Sequence, residues 1–303
     1  MLALAPNFSK GWAKLAIDAA DAAVFAPPNK RASLETTGAN AAQRAIQLDP
    51  KDGYAYLAQA QLEPPKAWAA REKLHEKSVS VRESDCGCEQ EGYGQFLLNV
   101  GRPAEAERQW LSALDALPRS PSGNKGLIKT EFQKGDIVAA DRVIADYKDF
   151  WNGAPGVKFV LFQQAVEHRR WADAAALTKT VIRLPEEAGP ISDAFSALAS
   201  GDHNRIAAAR DALIKTPTGN DFSIILLAQL GAPEQALSAL RQAYAAGDPN
   251  TSLLFDPLLA PLRAQPGWVD LLKQVGLIDY WRSSHKPPEF CKAADAPLLC
   301  KTL

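Results

Sequence analysis

Regularly spaced breaks separate the helix-length segments of this chain. Residues 101–118, GRPAEAERQWLSALDALP, carry apolar residues at helical spacing between Gly101 and Pro118, and the run before Gly101 predicts a second helix. The same kind of break recurs at spacings of 34, 34, 32 and 30 residues, at Gly101, Gly135, Arg169, Gly201 and Gly231. Unrelated loops would not keep this spacing, so the sequence predicts an array of helical hairpins.

One hairpin of this array resembles the tetratricopeptide repeat (TPR) family. Counting from Gly87, the small positions of that repeat hold Gly94, Ala106 and Ala113, its aromatic position holds Trp110, and its proline position holds Pro118. Small residues let helices approach, and the bulky residue fills the gap beside them. The resemblance covers roughly residues 1–250, strongly at 87–149 and 217–246. It implies an all-α, right-handed superhelical solenoid of about seven TPR-like helical hairpins, each contacting mainly its neighbours.

The predicted domain organisation is a repeat array over residues 1–250 and a capping segment over residues 251–303. The repeat period is lost from Leu253 onward, and prolines divide the remaining chain into short helices. Two of these, Leu258–Arg263 and Trp268–Val275, are apolar and are expected to cover the open end of the array. The expectation is therefore a C-terminal helical cap followed by a proline-rich tail.

This tail resembles the one that ends many bacterial membrane-anchored winged-helix transcriptional regulators and some adenylate cyclases with TPR regions. It departs from their charged Asp-Pro-Arg-Phe type of segment, which is here Gln265-Pro266-Gly267-Trp268. The matching residues are Phe255-Asp256-Pro257, Leu262-Arg263, Gly276-Leu277, Tyr280-Trp281 and Pro288-Glu289-Phe290-Cys291. The resemblance implies that the chain is the C-terminal region of a longer protein.

The first residues lead to a related expectation. Ala3–Pro6 matches the end of a repeat, as residues 116–118 do, and no polar cap precedes Trp12. The array is therefore predicted to start in its middle, within a longer chain. The alternative is a short N-terminal segment that only resembles a repeat end.

Charge and hydropathy exclude two classes of partner. The chain carries 34 Lys and Arg against 35 Asp and Glu, so it lacks the basic excess that binds a nucleic-acid backbone. No stretch approaches the roughly 18 uninterrupted apolar residues of a membrane span. We therefore expect neither nucleic-acid binding nor membrane insertion by this chain.

The sequence predicts no enzyme, cofactor or metal site. It contains no nucleophile elbow, phosphate-binding loop or dinucleotide fingerprint. The four cysteines are spaced C-x-C and C-x8-C, which does not suit the C-x2-C pairs of zinc sites. The four histidines are scattered through different repeats and are interpreted as ordinary surface or helix-end residues.

The cysteines instead indicate whether the chain resides in an oxidising or a reducing compartment. Cys291 and Cys300 bracket a loop near the end of the chain and are candidates for a disulfide, which would indicate an oxidising compartment. The alternative is two free thiols in the cytosol. Cys86 and Cys88 are not expected to close on each other, because one intervening residue makes a strained ring.

The remaining candidate site is the groove that first helices form in the TPR family. The positions that face it carry Glu91, Gln95, Leu98, Lys125, Lys129, Phe132, Phe159, Gln163 and Val166. Lys125 and Lys129, one turn apart, are candidates to receive an acidic peptide or a carboxylate, although no Asn accompanies them as in peptide-clamping members. The alternative is a solvated stripe.

These observations predict a non-catalytic protein–protein interaction scaffold that binds a protein or peptide. The tail favours the C-terminal regulatory or sensing region of a larger bacterial protein facing the periplasm. Two alternatives stay open: a small-molecule sensor with a ligand site between hairpins, and a stand-alone cytoplasmic TPR adaptor.

Overall fold

The computed structural model describes residues 2, 4–81, 86–215, 220–247, 250–293 and 296–303. Ala3, in the predicted repeat end, and Pro217, where the second strong repeat match begins, lie outside these residues. Within them the chain is helical and contains no strand. The α-helices are α1 (Ser9–Phe25), α2 (Pro28–Leu48), α3 (Gly53–Leu62), α4 (Trp68–Val81), α5 (Cys88–Asn99), α6 (Pro103–Ala116), α7 (Pro121–Lys134), α8 (Ile137–Phe150), α9 (Pro155–Glu167), α10 (Trp171–Val181), α11 (Pro185–Ser200), α12 (His203–Lys215), α13 (Asp221–Gln229), α14 (Pro233–Ala245), α15 (Trp268–Gln274) and α16 (Leu277–Ser284).

Short 3-10 helices complete the C-terminal segment. They span Thr251–Phe255, Pro257–Ala264, Glu289–Lys292 and Leu298–Thr302. Helices α1 to α14 follow one another as hairpins along the described chain, which confirms the predicted all-α array of about seven helical hairpins. No helix within the described ranges is both long enough and apolar enough to cross a bilayer.

The recurring break in the sequence is a left-handed turn after the first helix of a hairpin. All five break residues have positive φ, from 54° to 80°, and Arg169 takes this conformation without being glycine. After four of them the next amide donates back into the helix: Arg102 to Leu97, Asp136 to Glu131, Arg170 to Ala165 and Ala232 to Leu227, at 2.8–2.9 Å. This is the Schellman arrangement, which satisfies carbonyl groups at a helix end.

The contacts divide the chain into two compact units. The first unit contains residues 1–126, 275–289 and 303, and the second contains residues 127–274 and 290–302. The division predicted at residue 250 stays a prediction.

The core of the first unit includes a tryptophan between two glycines. Trp110 of α6 is 4 % exposed. A Cβ added at Gly94 or at Gly126 would lie 2.7 or 2.6 Å from its ring, so neither position tolerates a side chain without movement. Ala106 and Ala113 on the same helix are fully buried, whereas Pro118 is exposed beyond the helix end. Small neighbours therefore let this hairpin enclose a large aromatic ring.

Residues 275–289 pack on the hairpins of the first unit. Trp281 is fully buried and donates its indole N–H to the Val100 carbonyl at 3.0 Å, and Trp68 donates to the Val275 carbonyl at 2.7 Å. The Glu289 carboxylate accepts the Ala104 amide at 3.0 Å. The tail thus forms part of the core of the first unit.

A buried ionic network lies beneath this tail. Arg102 donates to the carboxylates of Glu72 and Glu105 and, at 2.9 Å, to the Tyr280 hydroxyl. Lys286 also donates to Glu72, at 2.9 Å. Burial alone would raise the pKa of Glu72, but Arg102 and Lys286 outweigh burial and lower it. Glu72 is therefore ionised in the fold and depends on these two cations.

The residues before this tail cap the last hairpin of the second unit. Gln229 of α13 donates to the Leu258 carbonyl at 2.6 Å, and Arg241 of α14 donates to the Gly267 carbonyl at 2.8 Å. Leu258, Leu262 and Trp268 are buried there. The predicted C-terminal helical cap is confirmed in this segment.

Both pairs of cysteines are joined in the structure. Cys291 and Cys300 have Cα atoms 5.3 Å apart; their state in the cell stays a prediction. The Cys86–Cys88 bond corrects the expectation from sequence. Gly87 between them has φ 66°, and this turn leaves their Cα atoms 5.2 Å apart, within the ordinary range for a disulfide.

Candidate functional site

The candidate site is a small cavity inside the second unit. Its volume is about 60 Å³, room for a few waters or for one side-chain head group. It lies among three helices that each open a hairpin, together with the residues that follow the last hairpin. Its lining residues are Lys129, Phe132 and Gln133 of α7, Gln163, Val166 and Glu167 of α9, Asp221, Phe222 and Ile225 of α13, and Leu253 and Asp256.

The carboxyl group of Glu167 is the least compensated charge in this cavity. Glu167 is the last residue of α9, and the negative end of a helix dipole disfavours an anion there. Burial, followed by the neighbouring Asp256, raises the pKa of Glu167 to about 9. Among the described residues no hydrogen bond or ion pair reaches its carboxyl group. Arg169 and Lys129 favour the charged form but do not overcome burial.

Asp256 supplies the second carboxyl group. It begins the 3-10 helix Pro257–Ala264, where its Oδ1 accepts the Leu258 amide at 2.8 Å. Burial raises the pKa of Asp256 to about 6, although this hydrogen bond acts in the opposite direction. Asp221, on α13, adds a third carboxyl group to the lining and raises the pKa of Asp256 further.

One lysine offsets these three carboxyl groups only in part. Lys129 donates its ammonium group to the Ser252 hydroxyl at 2.6 Å. Gln133, one turn along α7, donates to the Ser252 carbonyl at 2.7 Å. Its Oε1 atom is buried and accepts no hydrogen bond from the described residues. The cavity therefore carries an excess of acidic groups and an acceptor that a ligand N–H could satisfy.

The walls between these polar groups are apolar. Phe132, Val166 and Ile225 are buried side chains that line the cavity. Phe222 packs edge-on against Phe162, with ring centroids 4.6 Å apart. The ring centroid of Phe159 lies 6.4 Å from that of Phe222, with the rings edge to face. Apolar walls strengthen every electrostatic interaction inside them.

Four of the groove residues expected from sequence meet at this cavity, namely Lys129, Phe132, Gln163 and Val166. Phe159 lies beside its aromatic wall. Sequence reasoning missed Glu167 and Asp256. The signal for Glu167 was a carboxylate at a helix C-terminus, directly after Val166. Asp256 follows the last hairpin and reaches the cavity only through the packing of residues 251–264, which no local pattern predicts.

The remaining groove candidates lie in the first unit. Glu91 accepts hydrogen bonds from the hydroxyl groups of Ser120 and Ser122, at 2.5 and 2.6 Å, and so ties α5 to the start of α7. Gln95 donates to Asn99 within α5, and Lys125 is half-buried on α7. Leu98 is 0 % exposed, because it faces the core of the hairpin, and so offers no surface to a ligand.

The described residues contain no group of three or more His, Cys, Asp and Glu side chains that could hold a metal ion. The acidic lining of the cavity can instead pair with an ammonium or a guanidinium group.

Comparisons with known proteins give no family for this chain. No family model matches it, and no curated protein matches it. A solved structure of Pseudomonas aeruginosa PilF is 15 % identical, with a TM-score of 0.48, over 68 % of this chain and 95 % of PilF. Yeast Tom70 is 14 % identical, with a TM-score of 0.47, over 90 % of this chain and 60 % of the Tom70 chain. Similarities of this size assign no function, and the hairpin fold rests on the helices described above.

Proposed function

We propose that this chain is a non-catalytic interaction module whose second unit binds a protein or peptide segment by receiving a basic side chain in the acidic cavity. The observation that supports this most is the carboxyl group of Glu167. It lies half-buried beside a second carboxyl group, and because its pKa is raised, its ionisation opposes folding. A lysine or arginine from a partner would supply the missing charge.

The charge of the cavity also decides between two kinds of peptide. An acidic peptide or a C-terminal carboxylate would have to approach Glu167, Asp221 and Asp256 together, whereas Lys129 is already hydrogen-bonded to Ser252. Like charges in an apolar cavity repel strongly. The proposal is therefore a basic segment, with Phe132, Phe159 and Phe222 contacting its aliphatic parts.

Peptides selected from a random library on the full-length chain test this proposal. We expect the selected peptides to carry a lysine or arginine, and Glu167→Gln to weaken their binding by about tenfold or more, the scale of one charge-assisted hydrogen bond. The matched control is Glu186→Gln, which removes an exposed glutamate of the same unit and is expected to leave the affinity unchanged. Isothermal titration calorimetry measures both variants.

A double-mutant cycle tests whether the basic residue of the peptide contacts Glu167 directly. Replacing the basic residue of a selected peptide by methionine should cost as much as Glu167→Gln, and the two changes together should cost little more than either alone. Additive losses would place the basic residue elsewhere. Selected peptides without a basic residue, or full affinity in Glu167→Gln, would contradict the proposal.

We also propose the kind of protein and the cellular compartment to which this chain belongs. The resemblance of the tail and the Cys291–Cys300 pair support the C-terminal regulatory or sensing region of a larger, periplasm-facing bacterial protein. Alkylation of acid-quenched source cells, followed by mass spectrometry of both cysteines, tests the compartment. A joined pair supports the periplasm, and two free thiols favour a cytoplasmic adaptor.

A further inference from the structure

A second cavity, within the first unit, has a different composition and a larger volume. It measures about 250 Å³, many times the roughly 10–15 Å³ that one water needs. It lies where α1, the start of α3 and the start of α5 meet. Its lining residues are Lys10, Ala13, Lys14, Asp52, Tyr54, Cys86 and Glu89. The size suits a small organic molecule better than a single ion.

The polar group that points to a ligand is Asp52. It is the N-cap of α3, and its Oδ1 accepts the Tyr54 amide at 3.2 Å. Its side chain is only 8 % exposed, yet its Oδ2 has no hydrogen-bond partner among the described residues. A buried carboxylate oxygen without a partner is costly, because removal from water is not compensated. A ligand donor in the cavity would remove that cost.

The charges around Asp52 indicate what this ligand carries. Glu89 is buried in the same lining, and burial, followed by the carboxyl groups of Asp49 and then Glu89, raises the pKa of Asp52. The acidic part of the cavity therefore favours an ammonium group. Lys10 and Lys14 line the cavity as well, and Lys14 pairs with Asp18. Lys10 is exposed and makes no ion pair with any described residue, so it is available to a carboxylate.

We propose that this cavity binds a free α-amino acid, whose ammonium group donates to Asp52 Oδ2 and whose carboxylate pairs with Lys10. The presence of both signs of charge in one cavity selects a zwitterion over a simple amine or a simple anion. Cys86, joined to Cys88, forms part of the cavity wall. The site goes beyond the proposed peptide binding, since it uses none of the residues of the second unit.

Calorimetric titration of the full-length chain with each free L-amino acid tests this proposal. For any amino acid that binds, Asp52→Asn should weaken binding by about tenfold or more. Asparagine caps helices as well as aspartate does, so this variant keeps the fold while removing the charge. Asp115→Asn, which changes an exposed aspartate of the same unit, is the matched control and should bind as the wild type does.

Two ligand analogues assign the contacts separately. The N-acetyl derivative of a binding amino acid lacks the ammonium group and should not bind. The corresponding amine without a carboxylate should bind weakly to the wild type, with an affinity that Lys10→Gln does not change further. No saturable binding by any amino acid, undiminished binding in Asp52→Asn, or an amine that binds as tightly as its amino acid would overturn the proposal. Glu167→Gln should leave amino-acid binding intact, so failure here is separate from failure of the peptide site.

Discussion

Trp110→Ala is expected to lower the free energy of unfolding by about 3–5 kcal/mol, the range for removing a buried aromatic side chain. The ring lies between Gly94 of α5 and Gly126 of α7, and neither glycine has a side chain that could move into the space left behind. The cavity would therefore persist, and the lost contacts would not be replaced. In an array whose hairpins contact mainly their neighbours, the effect should be strongest close to the substitution.

Hydrogen exchange of the full-length variant measures this local effect. Amides of α5 and α6 should lose protection first, before those of α13 and α14. Leu111→Ala is the control, because Leu111 follows Trp110 on the same helix and is 47 % exposed, and it should change stability by less than about 0.5 kcal/mol. A uniform loss of protection along the chain, or a loss below about 1 kcal/mol, would contradict the packing described for Trp110.

Arg102→Met is expected to cost about 3–5 kcal/mol, because it leaves the buried carboxylate of Glu72 without its main partner. The Tyr280 hydroxyl loses its hydrogen bond from Arg102 in the same step. Residues 275–289 should then detach from the first unit more readily, which hydrogen exchange of α16 would report. Arg108→Met, at an arginine whose side chain is 67 % exposed, is the control and should have little effect.

A double variant distinguishes a lost ion pair from lost packing. Replacing both Arg102 and Glu72 by methionine removes the two buried charges together, so it should recover much of the stability that Arg102→Met loses. The pH dependence has a defined sign. Since the fold lowers the pKa of Glu72, its contribution is present at neutral pH and is lost as the pH falls below about 4.5, the ordinary value, through the lowered one. A double variant less stable than Arg102→Met would contradict this account.

The sequence predicts the hairpins well because their turns have a local cause. The left-handed residue at each of the five breaks is set by a few neighbouring residues, and four of the five are glycine. Arg169 keeps the spacing without being glycine, since the backbone bonds of the turn hold it there. The spacing of the breaks therefore predicts these turns better than the residue type at the break does.

The candidate sites depend on packing between distant segments, which local patterns do not contain. Arg102 follows the break at Gly101, where a loop residue is expected, yet it is buried and donates a hydrogen bond to Tyr280 from a distant part of the chain. The resemblance to the repeat family predicts that Lys129, Phe132, Gln163 and Val166 face one groove, and they do share a cavity. The same pattern gave no sign that Glu167 and Asp256 would make that cavity acidic.

The most direct test of the acidic cavity is the free energy of unfolding of the wild type and of Glu167→Gln at pH 5 and pH 8. The pKa of Glu167 is about 9 in the fold and about 4.5 without it, so its ionisation costs stability increasingly as the pH rises between these values. We expect Glu167→Gln to gain stability over the wild type as the pH rises from 5 to 8, by up to about 1.4 kcal/mol per pH unit, although it no longer binds basic peptides. Equal or lower stability of Glu167→Gln at pH 8 would contradict the conclusion that Lys129 and Arg169 leave this carboxyl group undercompensated in the free chain.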